Sequence, residues 1–279
     1  MAAKEIFNIV IPGIKGKYTV MHVSDLHMVA TYEDEDPKAV DATARRVPYF
    51  FKSEQESIDR WYSVIEASKE VKPDCMIFTG DIIDFPSKEN LDLLEDGLNR
   101  LDCPYIYCLG NHDWSFDYNY HTESAKINER PKFEKFTSKG SEYSFLDMGE
   151  FVIVAIDNSE DQVTKATYEA VKKSFDIGKP VIIAMHIPIC ANNYPENTLR
   201  EDTIAYWKRD ICIGNSGIPM QEYTKKFVDL ISDESSPVAA ILAGHIHFAH
   251  KDKINSKVNQ YVCCRCTKGE YVLLNITGV

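Results

Sequence analysis

Five short blocks hold the residues of this chain whose types could do chemistry: Asp25-x-His27, Gly80-Asp81-x-x-Asp84, Gly110-Asn111-His112-Asp113, His186, and Gly244-His245-x-His247. Carboxylate oxygen, amide oxygen and imidazole nitrogen are the donors that hard and borderline divalent cations accept. Any one block is weak evidence, because Gly-Asn is first a turn signal and Asp-x-His commonly caps a turn. Together they share one economical explanation, a metal site of nitrogen and oxygen donors. No cysteine is obligatory in it, which fits Mn, Fe, Zn or Co and disfavours a Cys-rich structural zinc. Seven candidate ligands, Asp25, His27, Asp81, Asn111, His186, His245 and His247, are too many for one open catalytic ion. They suit two ions that share a bridging carboxylate.

Each block stands where an apolar run stops. Lys17 to Val23, Asp74 to Thr79, Pro104 to Cys108, Val181 to Met185 and Val238 to Ala243 read as strands, and polar residues follow every one. A helix begins at Ser53, where Ser53-x-x-Glu56 forms a capping box and Ile58, Trp61, Tyr62 and Ile65 follow at helical spacing. Further helices are expected over about 87–101, over 164–175, and from Pro219. Tyr143 to Asp147 and Phe151 to Asp157 read as a hairpin turned at Met148-Gly149. Strand and helix alternate through the first hundred residues, so parallel pairing by right-handed crossovers is expected. Strands near 260–266 and 270–276 close the chain. Three segments lack clear periodicity and are expected to be substrate loops: 28–52, 114–142 and 189–218.

A chain of 279 residues, 44% hydrophobic, can build one large core and bury about three quarters of its unfolded surface. A single domain over 1–279 is expected. The net charge of -12 argues against a surface that wraps a nucleic-acid backbone, and leaves room for a small phosphorylated substrate held by metal. No signal-peptide pattern opens the chain and no run of 18 apolar residues occurs, so a soluble, cytoplasmic protein without membrane insertion is expected. The eight cysteines are scattered, several within apolar runs, and are read as reduced, buried thiols. Cys263-Cys264-Arg265-Cys266 contains a C-x-x-C, but no second pair exists and its residues alternate along an expected strand, which speaks against a metal or redox role.

The ordered set of five blocks, spanning residues 25 to 247, resembles the calcineurin-like metallophosphoesterase superfamily. The resemblance implies a four-layer α/β/β/α sandwich, two mixed β-sheets flanked by helices, with a dinuclear site at the strand ends. It further implies two divalent metal ions (Mn, Fe or Zn), the first held by Asp25, His27 and His247, the second by Asn111, His186 and His245, with Asp81 bridging. His112 would act at the phosphoryl group as a catalytic acid or stabilising imidazolium, with Asp84 orienting it, and a metal-bridging hydroxide would attack in line. A phosphomonoester or phosphodiester of a small phosphorylated substrate is the expected target. One departure matters. Protein Ser/Thr phosphatases of this superfamily carry Arg-Gly after the second Asp of the Gly-Asp-x-x-Asp block, and here Asp84 is followed by Phe85-Pro86. Protein phosphatase activity is therefore not expected. A non-catalytic binding scaffold of the same fold would have lost ligands, and none is lost; a nuclease would need a basic groove, and no basic run exists. Arg45, Arg46, Arg200, Lys208 and Arg209 are candidate phosphate clamps, and Trp114, Tyr118 and Trp207 candidate stacking residues. The sequence leaves the oligomeric state open.

Overall fold

The computed structural model describes residues 3–116, 122–137, 142–190, 197–214 and 218–279. Its strands are β1 (Glu5–Val10), β2 (Lys17–Val23), β3 (Cys75–Phe78), β4 (Tyr105–Tyr107), β5 (Tyr143–Asp147), β6 (Val152–Ile156), β7 (Val181–Ala184), β8 (Val238–Ala243), β9 (His250–Lys253), β10 (Asn259–Val262) and β11 (Val272–Thr277). They form a five-stranded sheet in the order β1-β11-β2-β3-β4 and a six-stranded sheet in the order β5-β6-β7-β8-β10-β9. Both sheets are mixed. β2, β3 and β4 pair in parallel, as do β6, β7 and β8, while β11 is antiparallel to β2 and β5 antiparallel to β6.

Side-chain alternation explains how the sheets stack. In β6, β7 and β8, Ile153, Ala155, Ile182, Ala184, Ala240 and Leu242 face one core, shared with Val20, Ile77 and Leu274 of the other sheet. Their neighbours Val154, Ile183 and Ile241 face a second core with Val171, Phe227 and Ile231. The helices α2 (Glu54–Val71) and α3 (Lys88–Asn99) cover the outer face of the first sheet through Trp61, Val64, Ile65, Leu94 and Leu98. On the far side lie α5 (Lys165–Ser174) and α7 (Glu222–Ser232). The result is the expected four layers, helix, sheet, sheet, helix. Every strand buried on both faces is near-continuously apolar, as parallel strands covered on both sides require.

Several local expectations are corrected. The segment 28–52 is not irregular, because α1 spans Pro37–Phe50, capped by Asp36 and carrying Pro48 inside it. Within 114–142 lies α4 (Glu123–Glu129), and within 189–218 lies α6 (Leu199–Trp207). Residues 117–121, 138–141, 191–196 and 215–217 of those segments, with Tyr118 among them, fall outside the described residues. Pro219 precedes rather than starts α7, whose N-cap is Gln221. The penultimate strand ends at Val262, so residues 263–266 are not extended sheet. Ser53 does cap α2, its hydroxyl accepting from the Glu56 N–H at 3.2 Å. Among the described residues, no helix is long and apolar enough to cross a membrane.

Candidate metal centre

Five parallel strands, β2, β3 and β4 of one sheet and β7 and β8 of the other, deliver the chemistry from their C-terminal ends, where open α/β sheets commonly bind ligands. The loops that leave them lie side by side. Asp25 N–H donates to the Gly80 carbonyl at 3.1 Å and His27 N–H to the Asp81 carbonyl at 2.9 Å. Across the sheets, the His245 N–H donates to both Asp25 carboxylate oxygens, at 3.1 and 2.9 Å. This packing leaves no room for side chains at two glycines. A Cβ on Gly110 would sit 2.1 Å from Asp81 Oδ1, and one on Gly244 would sit 1.8 Å from Ser24 Oγ.

The backbone is strained where the candidate ligands sit. Asp25, His27, Asp81, His245 and His247 all have positive φ, between 51° and 72°. An L residue held there costs about 1–3 kcal/mol, so the surrounding bonds must fix these five turns. Asp113 does much of that. Its carboxylate accepts the N–H groups of Asp81, Ile82, Ile83 and Gly110 at 2.7–3.2 Å, and the Tyr107 hydroxyl at 2.9 Å. Burial and the neighbouring Asp81 push Asp113 up to about 7, against the Gly110 N–H and the Tyr107 hydroxyl.

The seven sequence-predicted ligands converge and are almost entirely buried. His27 Nε2 stands 3.1 Å from His247 Nε2, and His247 Nε2 stands 3.5 Å from Asp25 Oδ1. On the other side, His186 Nε2 is 3.1 Å from Asn111 Oδ1, 3.2 Å from Asp81 Oδ2 and 3.2 Å from His245 Nδ1. Asp81 lies between the two groups, its Oδ2 also 4.0 Å from His27 Nε2. Donors about 2.1 Å from a common cation, at angles of about 90–110°, stand roughly 3.0–3.4 Å apart; the His186 contacts and the His27–His247 pair fall in this range, while Asp25 and Asp81 stand 3.5–4.0 Å from the His27 and His247 nitrogens. Two pairs of imidazole nitrogens thus face each other at 3.1 and 3.2 Å, an arrangement that a shared cation would satisfy. Burial, reinforced by neighbouring imidazoles, holds His245 and His247 well below the usual imidazole value, so both keep a lone pair available. Burial also pushes Asp25 up to about 7. Burial alone would lower His186, but Asp81 and Asp25 carry it up to about 10, and burial would raise Asp81, which His186 and His112 hold well below the usual carboxylate range. The donor set therefore fits divalent cations, one among Asp25, His27 and His247 and one among Asn111, His186 and His245, with Asp81 reaching both.

His112 and Asp84 border this set. The His112 N–H donates to Asp81 Oδ1 at 2.7 Å, and its ring Nδ1 lies 3.3 Å from Asp84 Oδ1. Asp84 makes a shorter bond to His27 Nδ1, 2.8 Å, so one carboxylate orients both rings. Sequence reasoning did not anticipate its third partner in this role. Arg46 of α1 grips both Asp84 oxygens, Nη2 at 2.7 Å from Oδ1 and Nε on Oδ2, and holds the carboxyl far below its ordinary value despite burial. From the same helix, Phe50 stacks on His27 with centroids 4.6 Å apart and planes at 16°. Trp207 of α6 meets His247 edge to face at 5.0 Å. Asn158, also unanticipated, accepts the N–H groups of His186 and Ile187 through Oδ1 at 2.9 and 3.1 Å.

The other candidate clamps scatter. Arg45 pairs with Asp41 on the exposed face of α1, Arg200 with Asp210, and Lys208 with the Ala205 carbonyl. Arg209 and Trp114 instead line, with Asn111 and His245, a cleft of about 540 Å³ that opens on the second ligand group.

A family model described as calcineurin-like phosphoesterase matches residues 18–249. No curated protein sequence matches the chain significantly. Among solved structures, a dimetal phosphatase from Danio rerio shares the fold at a TM-score of 0.56 and 14% identity, over 90% of this chain and 88% of that one. A purple acid phosphatase isolated from yellow lupin (Lupinus luteus) seeds follows at 0.53 and 14%, over 93% of this chain and 46% of the other. At these identities the likeness concerns the fold.

Proposed function

The chain belongs to the calcineurin-like phosphoesterase family and is a hydrolase of phosphoric esters; from that premise we propose that it uses two divalent cations to hydrolyse a phosphomonoester or phosphodiester of a small phosphorylated molecule. The observation that carries this reading is Asp81, whose carboxylate stands between the Asp25/His27/His247 and Asn111/His186/His245 groups. Two cations held there would lower the pKa of a water between them toward about 7 and neutralise the charge on phosphoryl oxygens. His112 has the one partly exposed ring beside Asp81 and Asp84, positioned to hold a proton for the leaving oxygen or to face developing negative charge. Its two carboxylate neighbours raise its pKa against the effect of burial, which favours the imidazolium this role needs. Asp84 fixes the His112 ring and, through Nδ1, the tautomer of His27, so that His27 Nε2 faces the cation position.

The cleft beside Asn111 and His245 is where the organic part of the substrate would sit, with Arg209 placed to meet a second anionic group and Trp114 forming part of the wall. The whole of 1–279 would act as one catalytic domain, with 28–52, 114–142 and 189–218 supplying the substrate-facing rim. The test is hydrolysis of p-nitrophenyl phosphate and bis-p-nitrophenyl phosphate by metal-stripped protein, with Mn, Fe, Zn or Co restored, beside Asp81→Asn. Metal-dependent turnover that disappears in the variant is expected. Turnover that survives metal stripping, or that Asp81→Asn leaves intact, would refute the two-cation reading.

A further inference from the structure

Behind the ligand-bearing turn at Asp25 lies a second convergence of donors, all of them sulfur. After β10 the chain leaves the sheet. Cys263 N–H donates to the Ala243 carbonyl at 2.8 Å, and Cys266 N–H reaches the carbonyls of Ser24 and Asp25 at 3.1 and 3.2 Å. An extended strand would send Cys264 to the opposite face from Cys263. Here the turn draws the sulfurs of Cys263, Cys264 and Cys266 within 4.8 Å of one another, with Cys263 Sγ 3.9 Å from Cys266 Sγ. All three residues are buried, and Cys264, at 4% exposure, is the least so.

The spacing discriminates between fates for these thiols. A disulfide needs about 2.05 Å between sulfurs. Three thiolates about 2.3 Å from one ion stand about 3.8–4.0 Å apart, whether the arrangement is tetrahedral or flat. No fourth His, Cys, Asp or Glu joins the group among the described residues, so its geometry is that of a three-coordinate site. A tetrahedral zinc would want a fourth donor, whereas soft thiolates shielded from water select Cu(I). We propose that Cys263, Cys264 and Cys266 form a trithiolate site for a soft monovalent cation of the Cu(I) type, separate from the nitrogen and oxygen centre. Binding replaces the thiol protons, which leave to solvent, and involves no change of oxidation state. The neighbouring Cys263 and Cys266 bring the Cys264 thiol down to about 4, with Lys4 adding to the effect, while burial pushes the other two thiols up. The Cys263 and Cys266 thiols donate to the His22 and Cys264 carbonyls, both at 3.4 Å, and those are the protons an ion would displace. The Ser24 N–H points at Cys266 Sγ from 3.5 Å, a donor suited to a sulfur carrying negative charge. Because Cys266 also bonds the Ser24 and Asp25 carbonyls, an ion in this site would brace the turn that presents Asp25.

The experiment is a titration of the reduced, chelator-stripped full chain with Cu(I) against a chromophoric Cu(I) chelator, following the ultraviolet thiolate-to-copper charge-transfer band. One equivalent bound with that band is expected, and Asp81→Asn should retain it, since the band reports sulfur alone. Cys264→Ser should weaken binding at least about 100-fold, the upper end of what losing an outer partner costs a metal site. Cys190→Ser, which removes a thiol elsewhere, should leave it unchanged. Absence of the band in folded wild-type protein, or a band unaffected by Cys264→Ser, would overturn the proposal. X-ray absorption on the copper-loaded wild type gives a check that needs no variant. Three sulfur neighbours are expected, and a nitrogen or oxygen shell would refute the site.

Discussion

The two halves of the candidate metal centre are built on different principles. The Asn111/His186/His245 half is held from within the sheets. His186 Nδ1 bonds the Thr79 carbonyl at 2.7 Å, its N–H and that of Ile187 are fixed by Asn158, and the His245 N–H is fixed by Asp25. The Asp25/His27/His247 half leans on groups brought from outside them. His27 is oriented by Asp84, which Arg46 grips from α1; Phe50 covers the His27 ring, and Trp207 of α6 abuts His247, whose buried Nδ1 has no hydrogen-bond partner among the described residues. On the proposed reading, one cation position would be set by the fold and the other by peripheral helices. Substitutions on α1 should therefore act on one position only.

Asp81→Asn abolishes the comparison, because Asp81 serves both halves. Activity should fall more than about 10³-fold, beyond the loss of a single electrostatic donor, and elemental analysis should find fewer than two ions per chain. Retention of two tightly held ions would show that the halves do not share this carboxylate. Asp113→Ala should rank next for stability. It strips an acceptor from four buried N–H groups, and a cost of about 3 kcal/mol or more is expected in chemical denaturation. A cost under about 1 kcal/mol would mean that the strained turns hold themselves.

Arg46→Ala sharpens the contrast most directly. It leaves the buried Asp84 carboxylate without its cation, and activity should fall about 10–100-fold, with one ion lost on mild chelation while the other stays. Arg46→Lys should recover part of this, since the charge returns without the two-pronged geometry. Equal loss of both ions in calorimetric titration would refute the division into halves. Asn158→Ala is the mirror experiment and should loosen the other ion, about 10-fold in affinity. Smallest is Phe50→Ala. It removes one stacked ring from a half-covered position, and should raise KM by less than about 10-fold with kcat nearly unchanged. A collapse of kcat would instead make the ring part of the reacting geometry.

The candidate ligands stood out in the sequence because each is a polar residue placed where an apolar run ends, and buried strands seldom finish in imidazoles and carboxylates. The layers were legible for a similar reason, since the strands of β6, β7 and β8 are apolar at every position and so must be covered on both faces. The helix α1 was not. It buries Ala39, Ala42 and Thr43, correctly spaced for a helix but too small to mark an apolar face, and prolines stand at both Pro37 and Pro48. With the helix unseen, Arg46 remained one of several basic residues in a long segment. Asp113 was visible as a letter of its block, but its service to three of its four N–H groups depends on the fold of a loop about thirty residues earlier. Left-handed backbone at Asp25, His27, Asp81, His245 and His247 is marked only weakly in residue type, because Asp and His enter that region more readily than other non-glycine residues but tertiary contact decides which of them do. The trio of thiols was hidden by a strand assumed to run four residues too far.

The bond from the His245 amide to Asp25 joins residues 220 apart in the chain. Closing so long a loop is entropically costly and slow, and it becomes possible only when the sheet that holds β8 has packed against the sheet that holds β2. During synthesis, with N-terminal segments emerging first, Asp25, His27 and Asp81 leave the ribosome long before their partners from 186 to 247 exist. A nascent chain thus offers scattered donors but no pocket, and on the proposed reading cation loading would be confined to the end of folding. The same long closure would make the candidate centre a reporter of completed assembly. A chain that has folded one sheet and not the other could not hold the proposed ions.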